Sequence, residues 1–133
     1  MPYDRTVKPT GTFEETVEAV RRALADQGFG ILTEIDVQAT LKAKLDHDME
    51  PFLILGACNP PLARQALDAD RSVGLLLPCN VVIRTEGDQV IVQAIDPATM
   101  VTLTGVDALA PPVADEAARR LDAALATVAE GSA

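Results

Sequence analysis

Aromatic residues are scarce in this 133-residue chain, which holds three Phe, one Tyr and no Trp. Phe13, Phe29, Phe52 and Tyr3 are too few to build stacking platforms for single-stranded nucleic acid or an aromatic cage for a cation. Basic residues are also few, with 11 Lys and Arg against 20 Asp and Glu. The nearest basic groupings, Lys42 with Lys44, Arg21-Arg22 and Arg119-Arg120, are interleaved with acids, so no stretch gathers the cations that neutralise phosphates. Nucleic acid and anionic membrane are therefore not expected partners. A formal net charge of −9 reads most simply as a solvated surface.

Long hydrophobic runs are missing as well. The longest uncharged apolar stretches, 51–63 and 72–83, are too short to cross a bilayer and contain prolines. Asp4, Arg5, Lys8, Glu14 and Glu15 break up the first 30 residues, leaving no secretory hydrophobic segment. The expected location is the cytoplasm, where the two cysteines are expected as reduced thiols. A zinc site needs about four ligands in close pairs, whereas here two Cys stand 21 positions apart with a single His, His47, in an acidic loop. No metal site is expected on that basis, although a two-thiolate copper(I) site or one shared across a dimer escapes the objection. Cys-x-x-Cys and Gly-x-Ser-x-Gly motifs are both absent. Gly28-Phe29-Gly30 precedes a strand, whereas a dinucleotide fingerprint follows one and opens a helix. Nothing in the sequence names a cofactor.

What is present is aliphatic: 48% of residues are apolar, enough for one domain spanning 1–133 with a Leu, Val, Ile and Ala core. Tyr3–Lys8 reads as a short edge strand. A helix is expected over 12–27, with Thr12 and Glu15 at capping-box spacing and Phe13, Val17, Val20 and Leu24 in one stripe. Gly28 stands where a left-handed terminal residue is wanted. Phe29–Ile35 reads as a strand, and Asp36 as the cap of a second helix whose Val37, Leu41 and Leu45 share a face. Phe52–Ala57 is a continuous apolar run, the mark of a strand covered on both faces. Pro60 and Pro61 suit the first turn of a third helix, with Leu62, Ala63, Ala66 and Leu67 facing inward.

Ser72–Ile83 alternates so that Val73, Leu75, Leu77, Cys79, Val81 and Ile83 fall on one face of a strand. Pro78 lacks a backbone donor and so puts that strand at an edge or a bulge. Glu86-Gly87-Asp88 turns it into a hairpin with Gln89–Ile95, which Asp96-Pro97 ends. Met100–Leu103 reads as a last extended segment. A C-terminal helix follows, with Ala114, Ala118, Leu121, Leu125 and Val128 as its core stripe. The fold class is α/β (α+β), with a mixed, mostly antiparallel sheet and helices packed on it, in the order β-α-β-α-β-α-β-β-(β)-α. A sheet apolar on both faces with few helices to cover it suggests a homodimer.

Two Cys-Asn pairs stand out, in Ala57-Cys58-Asn59-Pro60-Pro61 and Leu77-Pro78-Cys79-Asn80. Strand ends in α/β folds are where ligands are usually placed. Asn59 can cap the helix that opens at Pro60, whereas Cys79 shares its face with large aliphatic residues and reads as core. Asp96, before Pro97, can hold a ligand hydroxyl, act as a base, or simply cap a turn. The candidate ligand-binding residues are thus Cys58, Asn59, Cys79, Asn80 and Asp96.

The segments Ile54-Leu55-Gly56-Ala57-Cys58-Asn59-Pro60, Gly74-Leu75-Leu76-Leu77-Pro78-Cys79-Asn80-Val81-Val82, and Asp96-Pro97 with Met100 resemble the bacterial and archaeal domain-of-unknown-function family three-hundred-two. Phe29–Asp36 also matches its usual pattern, and the resemblance spans about 3–128. It implies a compact α/β domain, commonly a homodimer, with no established activity. The family's characteristic positions fall on Gly56, Cys58, Asn59, Pro60, Pro78, Cys79, Asn80, Asp96 and Pro97, all kept here. His47 lies on none of them. Three functions follow from the whole reading. One is a homodimeric accessory module binding a small ligand or a partner. The others are a thiol- or metal-dependent enzyme or carrier using Cys58 and Cys79, and a structural oligomer.

Overall fold

In the computed structural model, residues 3–99, 103 and 112–131 are described. Five strands form one sheet in the order β1-β5-β4-β3-β2: β1 is Asp4–Val7, β2 Gly30–Asp36, β3 Phe52–Cys58, β4 Cys79–Glu86 and β5 Gln89–Ile95. The sequence suggested a mostly antiparallel sheet; every neighbouring pair is antiparallel. Helix α1, Phe13–Asp26, joins the strands at the two edges, and α4, Pro112–Gly131, packs beside it. Helix α2, Val37–Leu45, sits in the β2–β3 connection, and α3, Pro60–Ala69, follows β3.

Local chemistry accounts for the first elements. Thr12 Oγ1 accepts the Glu15 N–H at 3.1 Å while Glu15 Oε1 accepts the Thr12 N–H at 2.9 Å, closing a capping box on α1. Gly28 then reverses the chain at φ +84, a conformation that side chains with a Cβ rarely adopt. Asp36 caps α2 by accepting the Ala39 N–H at 2.9 Å, but α2 buries no residue and Leu45 remains exposed.

The core lies between one sheet face and the α1–α4 layer. Register pairs Leu53 with Ile83, Leu55 with Val81, Ile83 with Val92 and Val81 with Ala94, so these side chains share the covered face. Val20 and Leu24 of α1 and Leu121, Leu125 and Val128 of α4 close over them. Burying a side chain of this size stabilises the fold by roughly 1.5–3 kcal/mol. The opposite face is less covered than the apolar sequence of β3 suggested: Ile54 and Val82 are half-buried and Ile35 is exposed.

One reading of the sequence fails. Residues Arg71–Leu76 form a 3-10 helix, not the first half of a strand, and β4 begins only at Cys79. The Asp70 carboxylate accepts the Ser72 N–H at 2.9 Å and starts the turn. Val73 is then sealed against Ala66 while Leu75 is 88% exposed, although strict alternation would put both on one face. Pro78, whose peptide bond with Leu77 is cis, lies just before β4. Its missing donor therefore breaks no ladder, and β4 occupies an interior position between β5 and β3. The extended segment expected at Met100–Leu103 falls mostly outside the described residues; Leu103 itself is helical. Among the described residues, no helix is long and apolar enough to cross a membrane.

Candidate functional site

Pairing of Ala57 with Cys79 brings the end of β3 and the start of β4 to the same end of the sheet. The chain turns there from β3 into α3. Asn59 holds the turn: its backbone is extended at φ −99 and ψ 105, and its Oδ1 accepts the Leu62 N–H at 3.3 Å. Pro60 and Pro61 occupy the first turn, where a backbone N–H would lack a helical partner anyway.

Cys58, Asn59 and Cys79 line a cavity of about 50 Å³. The rest of its wall is apolar, contributed by Phe29 ahead of β2, Leu62 and Ala66 of α3, Leu77, and Val113 and Ala117 of α4. Pro97, fully buried, closes one side, and among the described residues no charged side chain lines the space. An apolar cavity of roughly 150 Å³ holds benzene, so this one has room for about two or three heavy atoms, or for the tip of a longer molecule. Desolvation in this wall pushes the Cys79 thiol from 9.0 up to about 11, and the nearby Cys58 adds to the rise. At neutral pH Cys79 is therefore protonated and a weak nucleophile.

Two of the candidate residues stand elsewhere. Asn80 follows Cys79 along β4, so it points to the other sheet face, where it is exposed. There it borders a shallow depression of about 260 Å³ with Tyr3, Asp4, Val82 and Gln93. Asp96 serves the turn after β5: its Oδ1 accepts the Ala98 N–H at 3.0 Å, and its carbonyl accepts the Thr99 N–H at 2.9 Å. Arg5 also reaches that carboxylate at 3.4 Å and pairs with Asp122 of α4 at 3.0 Å. In the Asp96-Pro97 motif it is the proline that meets the cavity. His47 is exposed in its loop beside Lys42 and Asp48. Among the described residues, no group of three or more His, Cys, Asp and Glu could hold a metal ion.

Gly56 is fixed by close approach. A Cβ there would lie 2.7 Å from Pro78 Cγ and would collide with Thr33 Oγ1. The bare backbone lets Pro78, the residue before Cys79, pack closely on β3.

The sequence matches the family described as Domain of unknown function DUF302 over residues 3–128. This chain belongs to that family. The crystal structure of an uncharacterized conserved DUF302 protein from Bacillus stearothermophilus has the same fold, with a TM-score of 0.88 and 29% identity over 95% of this chain and 98% of that one. Among curated proteins, none matches the sequence. The DUF302 fold is thus shared, and residues around the cavity have to carry any argument about activity.

Sequence reasoning found three members of the cavity wall and missed the rest. Phe29 and Pro97 were visible only as parts of motifs, and Val113 and Ala117 only as residues near the start of a helix. Small residues where α4 begins were the available signal, since Ala at packed positions leaves room beside a neighbouring helix.

Proposed function

We propose that this DUF302 protein is a homodimeric binding module that takes a small ligand, or one end of a larger one, in the cavity at the Cys58-Asn59 turn. One observation carries the reading: Cys58, Asn59 and Cys79, from two separate motifs, come together on one apolar cavity that no side chain among the described residues fills. Ligand sites are typically of this kind, concave and mostly apolar with a few polar groups to orient the guest. The uneven cover of the sheet supports the dimer, because Ile35, Ile54 and Val82 leave an apolar strip on the face away from α1 and α4.

Filling the cavity tests the binding reading. Ala117→Leu adds three carbons to the wall. If it occupies the whole 50 Å³ it should raise stability by about 1 kcal/mol, at roughly 24 cal/mol per Å³ of void removed. It should also abolish the binding of whatever native mass spectrometry finds co-purified with the wild type. A variant that is stabilised yet binds like wild type would refute the assignment. Light scattering after size exclusion reports the dimer, expected at about twice the 14.1 kDa of the chain.

The shared cavity also favours one second reading, a thiol- or soft-metal-dependent carrier using Cys58 with Cys79. The elevated Cys79 pKa weighs against a thiolate nucleophile there, though a bound metal would itself deprotonate the thiol. Metal retained by wild type and lost in both Cys58→Ala and Cys79→Ala would favour this reading.

A further inference from the structure

Two hydrophobic clusters adjoin in this protein without merging. The main core holds Phe29 and Ala57, and a smaller cluster holds Ala66 and Val73 with Leu77 and Val113 packed against them. Phe29 and Ala57 line one part of the cavity and Ala66, Leu77 and Val113 another. The unfilled 50 Å³ therefore lies at the seam between the two clusters. A gap of this kind forfeits dispersion contacts on both of its sides, and the atoms of an apolar guest restore them.

The polar members of the wall offer a guest little. Asn59 Oδ1 already accepts the Leu62 N–H, and Nδ2 lies near Gly28 and Arg120, neither of which belongs to the wall. Cys58 and Cys79 bring thiols, which are weak donors and weak acceptors. Desolvation keeps the Cys79 thiol protonated, so it places no anion there at neutral pH. A buried water needs about two to four polar partners, and a polar guest that finds none is penalised for its lost hydration. The wall thus selects for carbon. Size sets a second limit. At the best efficiency known for very small ligands, a guest of about three heavy atoms reaches a Kd of only about 0.5 mM. Tighter binding needs atoms beyond the cavity, and the wall is not sealed: Leu62 and Ala63 of α3, Leu77, and Val113 and Ala117 of α4 are half-buried.

We infer that the cavity takes the alkyl end of a longer molecule, whose last carbons, about two or three, fill the seam between the two clusters while the remainder lies outside. The inference rests on the binding reading above and adds the chemical class of the ligand.

The test titrates cyclopropane, ethanol and 1-hexanol into ¹⁵N-labelled protein and follows the backbone signals of Ala66 and Ala117. Cyclopropane and ethanol match in heavy-atom count, and only ethanol carries a polar group. Cyclopropane should move both signals and bind at least about ten-fold more tightly than ethanol, whose hydroxyl would lose its water partners. 1-Hexanol should displace cyclopropane and bind at least about ten-fold more tightly again, since each further methylene buried on the apolar rim is worth about four-fold. Ethanol binding as tightly as cyclopropane would overturn the alkyl assignment and leave the binding reading standing. 1-Hexanol binding no more tightly than cyclopropane, or without displacing it, would make the guest a free small molecule and overturn the chain-end assignment. If no probe moves the Ala66 and Ala117 signals, the cavity binds no small guest and both readings fall.

Discussion

Gly56→Ala should cost this fold about 1–2 kcal/mol, although alanine is often the better residue outside turns. Replacing Gly by Ala ordinarily stabilises by about 0.4–1 kcal/mol where the backbone permits it, because the unfolded chain loses freedom. Gly56 is not among the positive-φ glycines, so the backbone itself would accept the change. Space forbids it. The new methyl would stand 2.7 Å from Pro78 Cγ, where carbons prefer about 3.5–4.0 Å, and would also collide with Thr33 Oγ1. The Thr33 hydroxyl can turn about χ1, since Thr33 Cβ is 3.5 Å away. The proline ring has no such freedom, so the chain before Cys79 has to move. Overpacking of this kind costs about 1–3 kcal/mol, which leaves a net loss after the unfolded-state gain. Equilibrium urea denaturation should show a lower midpoint at unchanged slope. In a double-mutant cycle, Pro78→Ala, which removes the ring carbon the new methyl would meet, should recover part of the loss, with a coupling of at least about 0.5 kcal/mol. A Gly56→Ala protein as stable as wild type, or one whose loss is the same with and without Pro78, would refute the close-approach argument.

Three further outcomes can be checked. Asn59→Ala removes the α3 cap and should lower stability by about 1 kcal/mol in urea denaturation, while Asn59→Asp should retain most of it. The Cys79 pKa is higher folded than unfolded, so the folded state holds the proton longer. Its contribution is intact below pH 9 and is lost as pH rises towards about 11; stability should fall across that window, and less steeply in Cys79→Ala. Finally, Val73→Ala should cost about 2 kcal/mol and Leu75→Ala less than about 0.5, since only Val73 is buried. Equal losses at the two positions in thermal or urea denaturation would restore the strand reading of that segment.

Elements set by chemistry within a few residues were legible in the sequence. The Thr12–Glu15 box, the Asp36 cap, the prolines opening α3 and the Gly87-Asp88 hairpin each need only neighbours close in the chain. The 71–78 segment was not, because a Leu-rich run carries period-two alternation whether or not it is extended. Competing signals, Asp70 as a cap and Gly74 inside the run, decided in favour of a 3-10 turn. The cavity was legible only in outline. Phe29, Pro97 and the start of α4 reach it through sheet order and helix packing, which no local spacing encodes.

The repeated Cys-Asn dipeptide shows why identical residues at two places need not do the same work. In β4 the pair lies at the beginning of a strand, where successive side chains alternate: Cys79 takes the covered face opposite Ala57, and Asn80 is turned to the exposed one. In β3 the pair ends the strand, and the chain leaves the pleat at Asn59 to begin a helix. Ala57, Cys58 and Asn59 in succession line the cavity that Cys79 enters from the neighbouring strand, so at this end of β3 the wall is not set by strand alternation alone. The register that pairs Ala57 with Cys79 makes this possible, and Gly56, by letting Pro78 lie close, holds the two strand ends at that separation. The proposed binding role therefore rests on three residues of the repeat, and the fourth, Asn80, belongs to another surface.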